Sequence, residues 1–234
     1  MALAAAAAAT VPGGAAAADP ESEAAFPQAT HSSPIALSRD NRLVWVVNPG
    51  DDSVSVLRTD NNTVLMKIKV GDEPQSVALD PAGRFTGVAN AAGGSLSVIA
   101  ILNAKYGGFK AVVAGTVKTG AEPWNVVVSP DGKRVFVANS GQDTITAIDA
   151  RRGVVIGHVN LRDSLCNDPD CERHFQPRGL AVSADNLRLY VTRFLSFTKP
   201  GGGHGLDDGE EGAVCRLSID TGAAHIAAAI SQPS

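Results

Sequence analysis

Residues 122–139 read Glu122-Pro123-Trp124-Asn125-Val126-Val127-Val128-Ser129-Pro130-Asp131-Gly132-Lys133-Arg134-Val135-Phe136-Val137-Ala138-Asn139. A short apolar run leads to a turn, a second apolar run and a terminal Asn. Three related segments occur in the chain: SSPIALSRDNRLVWVVN ending at Asn48, PQSVALDPAGRFTGVAN ending at Asn90, and PRGLAVSADNLRLYVTR ending at Arg193. The turn residues Asn41, Gly83, Gly132 and Asn186 are separated by 42, 49 and 54 residues, and the strand ends Asn48, Asn90, Asn139 and Arg193 repeat those spacings. Each strand end therefore lies seven residues past its turn. Register kept at a period of this size signals a solenoid, propeller or array.

Outward from each inner hairpin the pattern continues. In the first repeat Val54-Ser55-Val56-Leu57 alternates with period two, and Asp60-Asn61-Asn62 turns the chain into an apolar run from Val64 to Val70. The third repeat supplies Thr144 to Ile148 and Val154 to Leu161, and its Asp131-Gly132 pair predicts a two-residue hairpin. Four antiparallel strands in each unit of about 40–50 residues make the blade of a β-propeller. The predicted fold is all-β, with about four blades over 31–73, 74–122, 123–176 and 177–230, and a short tail at 231–234. Residues 1–30 stand apart as an Ala-rich leader, read either as a remnant signal peptide or as disordered chain.

Composition excludes several partners. A net charge of −4 and 19% charged residues leave no basic footprint for nucleic acid. No apolar run reaches the roughly 20 residues of a membrane helix. Three cysteines are too few for a disulfide scaffold.

The pattern P-x-x-V-x-x-S-P-D-G…V-F-V-A-N…I-D-x-x-x-G-x-V resembles the YVTN-type (WD40-like) β-propeller repeat over about residues 31–230. The endings here are Val46-Val47-Asn48, Val88-Ala89-Asn90, Val137-Ala138-Asn139 and Tyr190-Val191-Thr192-Arg193, the last departing from the family's Asn. The resemblance implies a ring that typically closes with seven blades and export to the periplasm or the cell exterior. Four visible repeats then imply part of a longer propeller, whose open edge needs further blades or another chain to cover it. A closed four-bladed ring is the alternative.

Blade topology places connections from strand two to three, and from blade to blade, at one end of the propeller. Both long insertions, over 162–177 and 194–212, are of this kind. The first holds Cys166 and Cys171, which suit a local disulfide, with free thiols or a metal site near His174 as alternatives. The second holds His204, Asp207, Asp208, Glu210 and Glu211, whose hard oxygens could collect Ca²⁺; a solvated acidic loop is the competing reading, and no cofactor is assigned. Trp124, Asn139, Arg178 and Arg193 make a candidate recognition patch at the same rim. Cys215 reads as a buried packing residue. No GxSxG, P-loop, HExxH or CxxCH motif is present, so no catalytic residue is assigned.

The expected function is a non-catalytic, exported scaffold that binds a protein, glycan or surface ligand through the face carrying the two insertions. The alternative is a lactonase-like propeller hydrolase with a divalent metal in the central channel.

Overall fold

In every repeat the inner hairpin is closed by the same device. In the computed structural model, the N–H groups of Asn41, Gly83, Gly132 and Asn186 donate to the carbonyls of Ser38, Asp80, Ser129 and Ser183. Each of those four donors has positive φ, between 54° and 68°. Gly and Asn stand there because they accept left-handed backbone at least cost. The two-residue hairpin expected at Asp131-Gly132 is instead a longer connection from Val128 to Arg134. Only Gly132 of that pair is left-handed. Asp131 stabilises the wider turn by accepting from the Ser129 hydroxyl at 2.6 Å and the Lys133 N–H at 3.0 Å.

The structure describes residues 30–31, 33–162, 174–194, 197–198, 201, 210–212, 214–219 and 226–228. The leader lies outside them apart from β1 (Thr30–His31), and so does the tail. The first blade is β2 (Ile35–Leu37), β3 (Leu43–Asn48), β4 (Ser53–Arg58) and β5 (Val64–Lys69). The second is β6 (Pro74–Leu79), β7 (Phe85–Asn90), β8 (Ser95–Asn103) and β9 (Lys110–Lys118). The third is β10 (Pro123–Val128), β11 (Arg134–Asn139), β12 (Thr144–Asp149) and β13 (Val154–Asn160). In the fourth, β14 (Pro177–Val182) and β15 (Arg188–Arg193) are followed by a small hairpin of β16 (Phe197–Thr198) and β17 (Glu210–Glu211), then by β18 (Val214–Ile219) and β19 (Ile226–Ala228). All pairings are antiparallel and follow chain order within each blade, except that β1 adds to the inner edge of β14.

Burial follows from stacking. The flanked third blade buries Val135 to Asn139 without alternation. In β15 only one face is covered: Leu189 and Val191 are buried while Arg188, Tyr190 and Thr192 are exposed. The core is correspondingly three buried clusters, each joining consecutive blades. Trp45, Val54 and Val56 meet Val77, Val88 and Ile99; Leu96 meets Val126 and Val137; Phe136 and Ile145 meet Leu180, Leu189 and Leu217. None of the three clusters joins the fourth blade to the first among the described residues. What links them is backbone. Thr30 pairs with Val182 and His31 with Ala181, then the Ser33 carbonyl accepts the Val77 N–H at 2.9 Å, and the chain enters the first blade.

The inner turns share one end of the propeller, where Arg84 donates to the Gly132 carbonyl and the Asp131 N–H donates to Asn186 Oδ1 at 2.9 Å. The strand three-to-four turns lie at the same end, Thr59 and Ala150 donating to the carbonyls of Arg42 and Lys133, while the connections from strand two to three and from blade to blade gather at the opposite end.

Candidate functional site

At that opposite end the first three blades carry a repeated latch. The Asn that closes strand two donates its Nδ2 to two hydroxyls of strand three. Asn48 reaches Ser53 and Ser55, Asn90 reaches Ser95 and Ser97, and Asn139 reaches Thr144 and Thr146, all within 3.1 Å. Asn139 also accepts the Gly120 N–H on Oδ1 at 3.1 Å. A Cβ on Gly120 would lie 2.7 Å from Asn139 Cγ, and one on Gly71 would lie 2.7 Å from Asn90 Nδ2. Glycine is required because the incoming chain runs directly over the amide. The sequence carries this signal as hydroxyl residues five and seven positions after each Asn, a spacing that the strand-end comparison overlooks.

A second recurring element sits beside the latch. Glu73, Glu122 and Gln176 each precede a Pro and have φ of 52°, 49° and 48°. Their carbonyls accept the N–H groups of Ala91, Ser140 and Phe194, the residues just past strand two. The Glu73 N–H is held by Asp52 Oδ1 at 3.0 Å and the Gln176 N–H by Asp143 Oδ1 at 2.7 Å.

The fourth blade abandons the latch while keeping this frame. Arg193 replaces the Asn, and Cys215 occupies the place of the second hydroxyl. Where Gly71 and Gly120 begin two-residue links, the chain instead inserts residues from Arg162 to Phe175. Fully buried Asp143 binds both ends of this insertion, because Oδ2 accepts from Arg162 Nε and from His174 Nδ1 at 3.0 Å. Phe175 is buried in the cluster between the third and fourth blades. The Phe194 N–H donates to the Gln176 carbonyl, so the second insertion starts where the first ends.

Arg178 lies at this junction. Its guanidinium carbon stacks 3.5 Å from the Trp124 ring centroid and 4.3 Å from that of Phe194. Such cation–π contacts strengthen as the charge loses water. Asn125 Nδ2 donates to the Arg178 carbonyl and fixes the backbone. Nε and Nη1 are buried without a hydrogen-bond acceptor among the described residues. Burial pushes the Arg178 pKa below its ordinary value, and the charge of Glu122 opposes that shift. Trp124 and Arg178 fill the position of Gln75, and Phe194 that of Ala91 and Ser140, so all three side chains depart from the repeat.

Of the expected recognition patch, Trp124 and Arg178 are in direct contact. Arg193 is half-buried at the end of β15, opposite Pro177. Asn139 is fully buried and spends its amide on Thr144, Thr146 and Gly120, so its side chain is internal. Phe194, Asp143 and Arg162 were not evident from the sequence, because their partners are distant along the chain. Cys166, Cys171, His204, Asp207 and Asp208 lie outside the described residues. Glu210 and Glu211 form β17, paired with Thr198 and Phe197. No group of three His, Cys, Asp or Glu able to hold a metal occurs among the described residues. Cys215 is buried, which pushes its thiol up to about 11.

Blade architecture defines the chain as a β-propeller protein. A family model described as "Lactonase, 7-bladed beta-propeller" matches residues 14–114. Solved structures with a similar fold include hydrazine synthase of Kuenenia stuttgartiensis, at 19% identity and TM-score 0.54, covering 88% of this chain and 66% of that one. A protein of unknown function from Desulfotomaculum acetoxidans aligns at 14% identity and TM-score 0.64, covering 85% of this chain and 55% of its own. A Lactobacillus plantarum protein aligns at 17% identity and TM-score 0.59, covering 86% and 56%. The chain thus spans between 55% and 66% of these three structures. A search of curated proteins found no match.

Proposed function

We propose that this chain belongs to an exported β-propeller scaffold that binds a protein or glycan through the rim where its two insertions start. One observation carries the reading. The latch built from Asn, paired hydroxyls and Gly is kept where blades only pack, and is replaced at the fourth blade by Arg193, two insertions and the Trp124–Arg178–Phe194 stack. Aromatic and Arg side chains gathered at one place are the composition of a binding hot spot. The strand endings, which resemble the YVTN-type repeat, agree with export. The single covered faces of the first and fourth blades would be completed by further blades or by another chain.

Glycan-array and peptide-array binding by the full chain tests this, alongside a Trp124→Ala variant of equal thermal stability. Specific binding that the variant loses supports the reading; equal binding by both proteins, or none by either, removes it.

A second reading is favoured by the family match over residues 14–114: a lactonase-like hydrolase using a divalent metal, Ca²⁺ among the candidates, in the central channel. Fold likeness alone does not carry activity. Hydrolysis of a lactone panel that chelation abolishes would replace the first reading with this one.

A further inference from the structure

The Trp124–Arg178–Phe194 stack is unusual for a structural cation–π contact. A guanidinium offers five N–H donors, and a structural Arg commonly spends several on carbonyls or a carboxylate. Here Nε and Nη1 are buried with no acceptor, and no ion pair to a carboxylate is formed among the described residues. Asp143, the buried carboxylate of this rim, already serves Arg162, His174 and Gln176. Leaving donors unmade in a buried place is costly unless something else completes them.

We propose that Arg178 anchors a subsite for an oxyanion, either a carboxylate or a phosphate ester carried by the ligand. This rests on the rim being the binding surface, as proposed above. Both rings stack on the guanidinium, at 3.5 Å and 4.3 Å, which leaves its edge for an anion, where the fork of N–H groups matches two oxygens of a carboxylate or phosphate. Phe194 is the movable side: its residue is 58% exposed and follows the last strand residue, whereas Trp124 is half-buried within β10. Turning Phe194 outward uncovers the donors without disturbing the blade. The repeat shows what the site replaces, since the second blade has Gln75 and Ala91 at the positions of Arg178 and Phe194.

The test titrates the full chain with sodium phosphate and with sodium succinate at constant ionic strength, following the indole N–H of Trp124 and the Nε–H of Arg178 by NMR. Saturable shifts at both groups with at least one probe are expected, and whichever probe acts identifies the source of the oxyanion. Arg178→Lys keeps the charge but loses the fork, and should weaken binding by about tenfold or more. Phe194→Ala removes an exposed side chain, leaves folding intact, and should change the affinity several-fold. No saturable shift with either probe, or unchanged affinity in both variants, overturns the proposal. Array binding that Trp124→Ala abolishes while Arg178→Lys leaves it intact would overturn this inference and leave the rim reading standing.

Discussion

Gly120 donates its N–H to the Oδ1 of Asn139, and the Asn139 Nδ2 ties Thr144 to Thr146, so a single amide joins the entrance of the third blade to its second and third strands. The close approach recurs between Gly71 and Asn90, where a Cβ on the glycine would meet the amide at 2.7 Å, but there the Gly71 N–H donates to the Ser97 hydroxyl at 3.2 Å. A close approach of this kind binds two positions 19 residues apart into one unit.

Gly120→Ala and Gly71→Ala should each lower stability by about 1–3 kcal/mol, because the added methyl displaces a buried amide that has no room to shift. Gly50→Ala is the control, since nothing lies within 4 Å of its Cβ and its φ is not left-handed. Urea unfolding of the three variants decides the matter; equal midpoints would show that the latch contributes nothing.

Asn139→Ala strips partners from Thr144, Thr146 and the Gly120 N–H at once. Stability should fall by about 2–4 kcal/mol, the cost of leaving buried polar groups unpaired together with the small cavity. Asn48→Ala, at a half-buried site, should cost less. Thermal unfolding of both variants orders the two effects.

Acid should weaken the fold over a defined window. Lys67 and Ser53 hold the Asp51 carboxyl down from 3.8 to about 2. Its folded pKa lies below the unfolded one, so its contribution is complete above pH 4 and is lost as pH falls toward 2. Asp40, Asp60 and Asp185 are lowered too, chiefly by hydrogen bonds from Ser38, Arg58 and Ser183, and act in the same direction. Asp51→Asn should flatten the loss of urea resistance between pH 4 and pH 2 relative to the native chain.

Cys215 should resist alkylation in the folded protein at pH 8, since burial keeps its thiol protonated up to about 11. It should react once urea unfolds the chain. Mass spectrometry of the same non-reduced sample reports on the proposed pairing of Cys166 with Cys171, which fails if both carry the label.

Removing residues 1–32 should speed amide exchange within 180–182, because Thr30 and His31 add to the inner edge of β14 there. Exchange in β11, which has partners on both sides, should not change. Unaltered exchange in β14 would mean that the added strand gives it no protection.

Blade number, strand order and the inner turns were legible in the chain. Each blade is a meander of neighbouring strands, so its period, its turn residues and its alternation are local properties that survive in one dimension. Gly83, Gly132, Asn41 and Asn186 announce their left-handed turns without any knowledge of the fold. The shared end of the two insertions followed from the same topology, and Phe194 meeting Gln176 is its structural expression. The candidate site was legible only in part. Asn139 looks like a rim residue in the strand ending, yet its hydroxyl partners and Gly120 make it internal. Arg178 gains its meaning from Trp124, 54 positions earlier, and from Phe194, across a strand pair. The Trp124 contact arises because stacked blades bring equivalent positions together, so what a residue touches depends on the neighbouring repeat. Periodicity in the chain determined the blades; stacking in three dimensions decided which departures from it meet.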